Sequence, residues 1–229
     1  MSMRPIRPLR DNALSLAFGA LFVLALSGQS IAGFLEGNER LQEHGLAPLG
    51  FDAYLTSSDF VVDVAENWQS EFLQFTLFIA ATIWLVQRGS PESKKPGDEG
   101  PGSDEEQLVA EHARADSPEW ARVRGIRLAM FSNSLLLVMG GVFVLSWLVQ
   151  SLAGTVVLNT ENAEHGQPAI TWAEYLVTPD FWNRTLQNWQ SEFLAVGAMI
   201  ALSIFLRQRG SSESKPVGAP HRESSVESE

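Results

Sequence analysis

The sequence predicts an all-α membrane protein in which four transmembrane helices form two tandem, parallel hairpin repeats. Three observations carry this expectation. The apolar residues are gathered into four blocks with the charges between them, so a mean hydropathy near zero hides two environments. A long stretch of the chain recurs 121 residues later. Arginine or lysine flanks one end of every apolar block, while acids fill the loops at the other end.

The blocks differ in length. No charged residue lies between Asp11 and Glu36, nor between Arg127 and Glu161. Either run exceeds the ~20 residues that cross ~30 Å of hydrocarbon, so the first and third blocks are complete spans. The second and fourth, Phe72 to Gln87 and Phe193 to Leu206, are shorter. The fourth reaches only ~21 Å as a helix, so both must draw the preceding turns into the bilayer. The N-terminus, with Arg4, Arg7 and Arg10, an apolar run from Ala13 to Leu26, then Ser30-Ile31-Ala32, also has the pattern of a cleavable signal peptide. An equivalent segment, Asn133 to Gly154, stands in mid-chain where no signal peptide acts. The expected reading is therefore a permanent helix in both places.

The repeat aligns Asn12 to Lys94 with Asn133 to Lys215 without a gap, and 37 of 83 positions are identical. Its longest identity is Asn67-Trp68-Gln69-Ser70-Glu71-Phe72-Leu73, which returns as Asn188 to Leu194. Each copy reads helix, polar loop, helix, basic exit. Two crossings bring the chain back to its starting side, so the second copy enters in the same orientation as the first. The expected relation is a pseudo-two-fold axis along the membrane normal, within a left-handed bundle. Residues 1–94 and 117–215 are the two hairpin repeats, 95–116 an acidic linker and 216–229 a tail. Linker and tail have too few apolar residues to form a core and are expected to be disordered. Ser117-Pro118-Glu119-Trp120 has the order of a helix N-terminus ahead of the third span.

The basic flanks are Arg4, Arg7 and Arg10; Arg88, Lys94 and Lys95; Arg122, Arg124 and Arg127; and Arg207, Arg209 and Lys215. The opposite loops, residues 36–66 and 155–187, hold only Arg40 and Arg184 against eleven acids. Both termini are therefore expected in the cytoplasm of a multi-pass inner (plasma) membrane protein.

Helical spacing puts Asn67, Ser70 and Glu71 on one face, and Asn188, Ser191 and Glu192 on its counterpart. Gln29 and Gln150 reach a similar depth from the neighbouring helices, and Trp68 and Trp189 suit an outer aromatic belt as interface anchors. Two readings stay open. A carboxylate at the membrane boundary marks an ion, proton or ligand site; alternatively each glutamate sits in a first helical turn, favoured by the dipole, with Asn67 or Asn188 as cap. His44 and His165, each after a glutamate, are weak metal candidates, since two loops would have to meet to assemble four ligands. Tyr54-Leu55, Phe60, Trp172, Tyr175 and Phe181-Trp182 are expected in short amphipathic segments on the outer membrane surface.

The chain has no cysteine, hence no disulfide, thiolate metal site or cysteine nucleophile. A net charge of −11 argues against nucleic-acid binding. No phosphate loop, nucleophile elbow, HExxH or dinucleotide fingerprint occurs, so no enzyme activity and no cofactor are expected. The duplicated NWQSEFL, followed by QRGSxESK, resembles small bacterial membrane proteins classed as a domain of unknown function. That resemblance implies bacterial inner-membrane placement and no catalytic residue. The partners expected are the lipid bilayer and a protein at the acidic outer loops. Two function classes follow: a non-enzymatic scaffold or accessory protein, or a small channel or transporter using the glutamate pair.

Overall fold

Long charge-free runs become long helices. The computed structural model describes residues 8–224, and among them there is no strand. Arg4, Arg7 and residues 225–229 of the tail lie outside the described residues. Helix α1 (Pro8–Asp11) leads into α2 (Ala13–Glu43), and after a loop come α3 (Phe51–Leu55) and α4 (Ser58–Trp84). The second half repeats the series as α5 (Ile126–Ser132), α6 (Ser134–Glu164), α7 (Trp172–Tyr175) and α8 (Pro179–Leu202). Asn12 and Asn133, equivalent in the repeat, break the helical path at the same place in each copy.

Of the four spans expected, two among the described residues have the length and hydropathy of a membrane crossing: α2 and α6, 31 residues each. At 1.5 Å per residue each measures ~46 Å, which exceeds the hydrocarbon layer. Their apolar side chains point outward: Leu21, Leu24, Leu137 and Leu145 are all more than half exposed. Helices α4 and α8 are long as well, at 27 and 24 residues, but polar first halves dilute their apolar second halves. Those halves are polar because both helices begin well before the blocks expected from charge alone. Thr178 accepts from the Phe181 N–H at 3.2 Å, and Pro179 fills the first helical position. Asn67 and Asn188, weighed as caps, therefore sit more than two turns inside their helices.

The chain forms two compact units that divide at Val61–Val62, within α4. In the first, Phe34 on α2 meets Phe51 and Tyr54 edge-on, with ring centres 5.4 and 6.0 Å apart. Asn38 clamps the following loop, its Oδ1 accepting from the Leu49 N–H at 2.7 Å and its Nδ2 donating to the Leu49 carbonyl at 3.1 Å. In the second unit Asn159 makes the same two bonds to Ile170, at 2.8 and 2.9 Å.

There α6 and α8 run antiparallel, since Trp147 packs on Trp189 at 5.8 Å and on Phe181 at 5.9 Å, while Phe143 meets Trp189 at 6.5 Å. The Trp147 indole N–H donates to Thr185 Oγ1 at 3.3 Å. Tyr175 and Phe181, expected on the membrane surface, are instead buried in this cluster, at 0% and 3% exposure. The linker winds through turns with one 3-10 turn at Ala110–His112. The helix expected from Ser117 is a single 3-10 turn, Glu119–Ala121, because Gly125 at φ +77° redirects the chain before α5 begins.

Candidate functional site

Equivalent residues of the two repeats meet along α4 and α8. At one end Gln187 Nε2 donates to Glu66 Oε1 at 3.3 Å, although Glu66 and Gln187 are the same position of the repeat. Further along, Glu71 and Glu192 lie close enough to repel each other. Beyond the helix ends, Glu213 stands beside Glu92, again its own counterpart. Burial first, then that neighbouring carboxylate, holds the Glu92 carboxyl above its usual range.

A polar network is built around Glu66, which is 8% exposed. Its Oε1 also accepts from Asn188 Nδ2 at 2.8 Å, and its Oε2 faces Arg184 Nη1 at 3.5 Å. Arg184 Nε in turn donates to Asp180 Oδ2 at 3.2 Å, and Asp180 accepts from the Tyr175 hydroxyl at 3.0 Å. Burial and then the Asp180 carboxylate push the Tyr175 phenol well above its ordinary range. The Tyr175 hydroxyl rests over Gly154, where an added Cβ would lie 2.3 Å from it. Tyr54 stands over Gly33 in the same way, at 2.1 Å. Nearby Thr171 and Glu174 form a capping box whose backbone N–H lowers the Glu174 carboxyl, with the Thr171 hydroxyl adding to the effect.

This network comes from positions where the copies differ. Arg184 replaces Asp63 and Gln187 replaces Glu66. Two faithful copies would crowd four carboxylates together, whereas the replacements supply a cation and an amide donor for Glu66. Neither Glu66 nor Arg184 is visible to a search for shared motifs. The signal was available as a charge reversal at one repeat position.

The residues expected in a polar cluster divide. Gln150 and Ser70 are buried, at 0% and 2% exposure. Glu192, Asn188 and Gln29 are half-buried, while Glu71, Asn67 and Ser191 are exposed. The hydroxyls of Ser70 and Ser191 return to their own helices, at the carbonyls of Asn67 and Asn188. Trp68 is 41% exposed. Trp189 is half-buried, and its indole N–H donates to Gln69 Oε1 at 2.7 Å. Gln69 Nε2 and both amide atoms of Gln150 are buried without a partner among the described residues.

His44 and His165 cap the C-terminal ends of α2 and α6, each with Nδ1 2.8 Å from a carbonyl one turn back. Among the described residues no group of three or more metal-ligating side chains is assembled.

A family model described as "Domain of unknown function (DUF6766)" matches residues 6–226, nearly the whole chain. No curated protein and no solved structure matches it.

Proposed function

We propose that this chain, which belongs to the DUF6766 family of domains of unknown function, is a non-enzymatic scaffold or accessory protein of the bacterial inner membrane. In this reading α2, α4, α6 and α8 all cross the bilayer and both termini are cytoplasmic. The hairpins are related by a pseudo-two-fold axis along the membrane normal in a left-handed bundle, and a protein partner docks on the acidic outer loops. The outward-facing leucines and valines of α2 and α6 support lipid contact. Contact between equivalent positions at Glu66/Gln187 and Glu92/Glu213, with Glu71 near enough to Glu192 for repulsion, supports the axis, because such a rotation brings matching residues together at equal depth. Phe75, Leu77, Phe193 and Leu194 remain 45–66% exposed on α4 and α8, which suits lipid on those helices as well.

One observation favours a scaffold over a transporter: the repeats are tied together between α4 and α8 and again between the segments that follow them. Glu66 is held by Arg184, Asn188 and Gln187 in the first tie, and Lys215 donates to the Gly89 carbonyl in the second. Alternating access needs one hairpin to rock against its partner, and such ties oppose that motion.

The second reading, a small channel or transporter, draws on the closeness of Glu71 to Glu192 and on the buried Gln69 Nε2 and Gln150 amide, which find no partner among the described residues. Such groups are costly unless wetted. Reconstituted vesicles with an internal pH dye and an imposed membrane potential separate the two. A scaffold leaves proton flux equal to that of protein-free vesicles. Flux above that level, abolished by Glu71→Gln with Glu192→Gln, would replace the scaffold by the transporter.

A further inference from the structure

The exit segments of the two repeats do more than leave the membrane. Gly89 donates its N–H to Ser224 Oγ at 2.8 Å and accepts from the ammonium of Lys215, which is only 2% exposed. Lys215 also donates to the carbonyls of Pro220, His221 and Glu223 at 3.2, 3.1 and 2.9 Å. One buried ammonium thus winds the tail around itself and fastens it to the first repeat's exit loop. The fastening has a consequence for Arg222, which it sets beside Arg88 and Lys95 around an open cavity of about 310 Å³.

Three cations gathered this way in a chain of net charge −11 run against its overall electrostatics. The side chains of Arg88, Lys95 and Arg222 are exposed, and none takes part in an ion pair or a side-chain hydrogen bond among the described residues. The lining residues also include Glu223 and the buried Ser224, so together they carry a net charge of two positive. Guanidinium forks match the oxygen geometry of phosphate, and a lysine adds a point charge.

We infer that this cavity binds the phosphate of an anionic phospholipid headgroup, with Arg88, Lys95 and Arg222 as its cations. The choice of a lipid over a free phosphate rests on the membrane reading above. Arg88 lies four residues beyond the end of α4, at the headgroup level of the cytoplasmic leaflet in that reading, where basic cavities attract anionic lipids. The tail then acts as a clasp: residues that follow the second repeat complete a lipid site begun by the exit segment of the first.

The test uses the full chain purified in a neutral detergent, with bound lipid read by native mass spectrometry against added phosphatidylglycerol, phosphatidylcholine or inorganic phosphate. Phosphatidylglycerol should be retained in preference to phosphatidylcholine, and its retention should fall with salt. The triple substitution Arg88→Gln, Lys95→Gln, Arg222→Gln should weaken phosphatidylglycerol retention by about tenfold or more and leave phosphatidylcholine unchanged. The single substitutions Lys95→Gln and Arg222→Gln, at exposed side chains, should each give a smaller loss with unchanged helical circular dichroism. Equal retention by the wild type and these variants would overturn the site. Displacement of the lipid by inorganic phosphate, bound as tightly by itself, would overturn the lipid assignment. Detergent has no sidedness, so a failure here is separate from a failure of the topology, which thiol labelling reads independently.

Discussion

At Gly154 the absence of a side chain is a packing requirement. The Tyr175 hydroxyl and its ring carbon Cζ lie 2.3 and 2.8 Å from where a Cβ would stand, so Gly154→Ala must push the ring off Asp180. Overpacking of this kind costs about 1–3 kcal/mol, and thermal unfolding in detergent should show a loss of that size. Tyr175→Phe in the same background removes the nearer atom and should recover part of it. Gly33→Ala, facing Tyr54 at 2.1 Å, should behave alike in the first unit. Tyr175 also makes a prediction about pH. Its phenol ionises later in the folded protein than in the unfolded chain, so its share of stability is complete below the unfolded value of ~10 and is lost as pH rises beyond it. Stability, measured by unfolding between pH 8 and 11, should fall above pH ~10, and Tyr175→Phe should flatten that limb.

Between elements, the ion pair of α4 and α8 decides how the copies join. The Glu66 and Arg184 side chains are 10% and 28% exposed, so removing Arg184 leaves a buried carboxylate without its cation, and removing Glu66 leaves Arg184 with Asp180 as its ion-pair partner. Glu66→Gln or Arg184→Gln alone should cost about 2–3 kcal/mol, and the double variant should cost less than the sum of the two. Arg184→Asp, which restores the residue of the first repeat, should be the most damaging, because it sets a carboxylate against both Glu66 and Asp180. A double-mutant cycle in chemical unfolding measures all of these. If Arg184→Asp proved no worse than Arg184→Gln, the idea that divergence relieved carboxylate crowding would be lost.

For the whole molecule, orientation is the open quantity that one experiment reads directly. The chain contains no cysteine, so single cysteines can be introduced without background. Cysteines at Glu39 and Glu161 should react with a membrane-impermeant thiol reagent in intact cells, and one at Gly100 should react only after lysis. Those results follow if both hairpins enter from the cytoplasm with their basic ends inside. Labelling at Gly100 in intact cells, or protection at Glu39 and Glu161, would reverse or remove the topology.

The sequence by itself determined the elements that depend on local chemistry. Charge-free runs longer than the bilayer is thick became α2 and α6, and the recurrence of 37 of 83 positions returned as helices with matching ends, Ala13–Glu43 and Ser134–Glu164. The polar residues of the NWQSEFL motif were legible as a group because helical spacing puts them on one face. Tertiary structure decided what they touch. It carried α4 and α8 back past Asn67 and Asn188, turned Tyr175 and Phe181 inward, and gave the central polar contacts to Glu66 and Arg184. A periodic pattern reports which residues share a face of one helix, whereas an ion pair between helices depends on register and rotation. That register is set by aromatic packing around Trp147 and by the contact of one repeat with the other, both of them relations between distant parts of the chain.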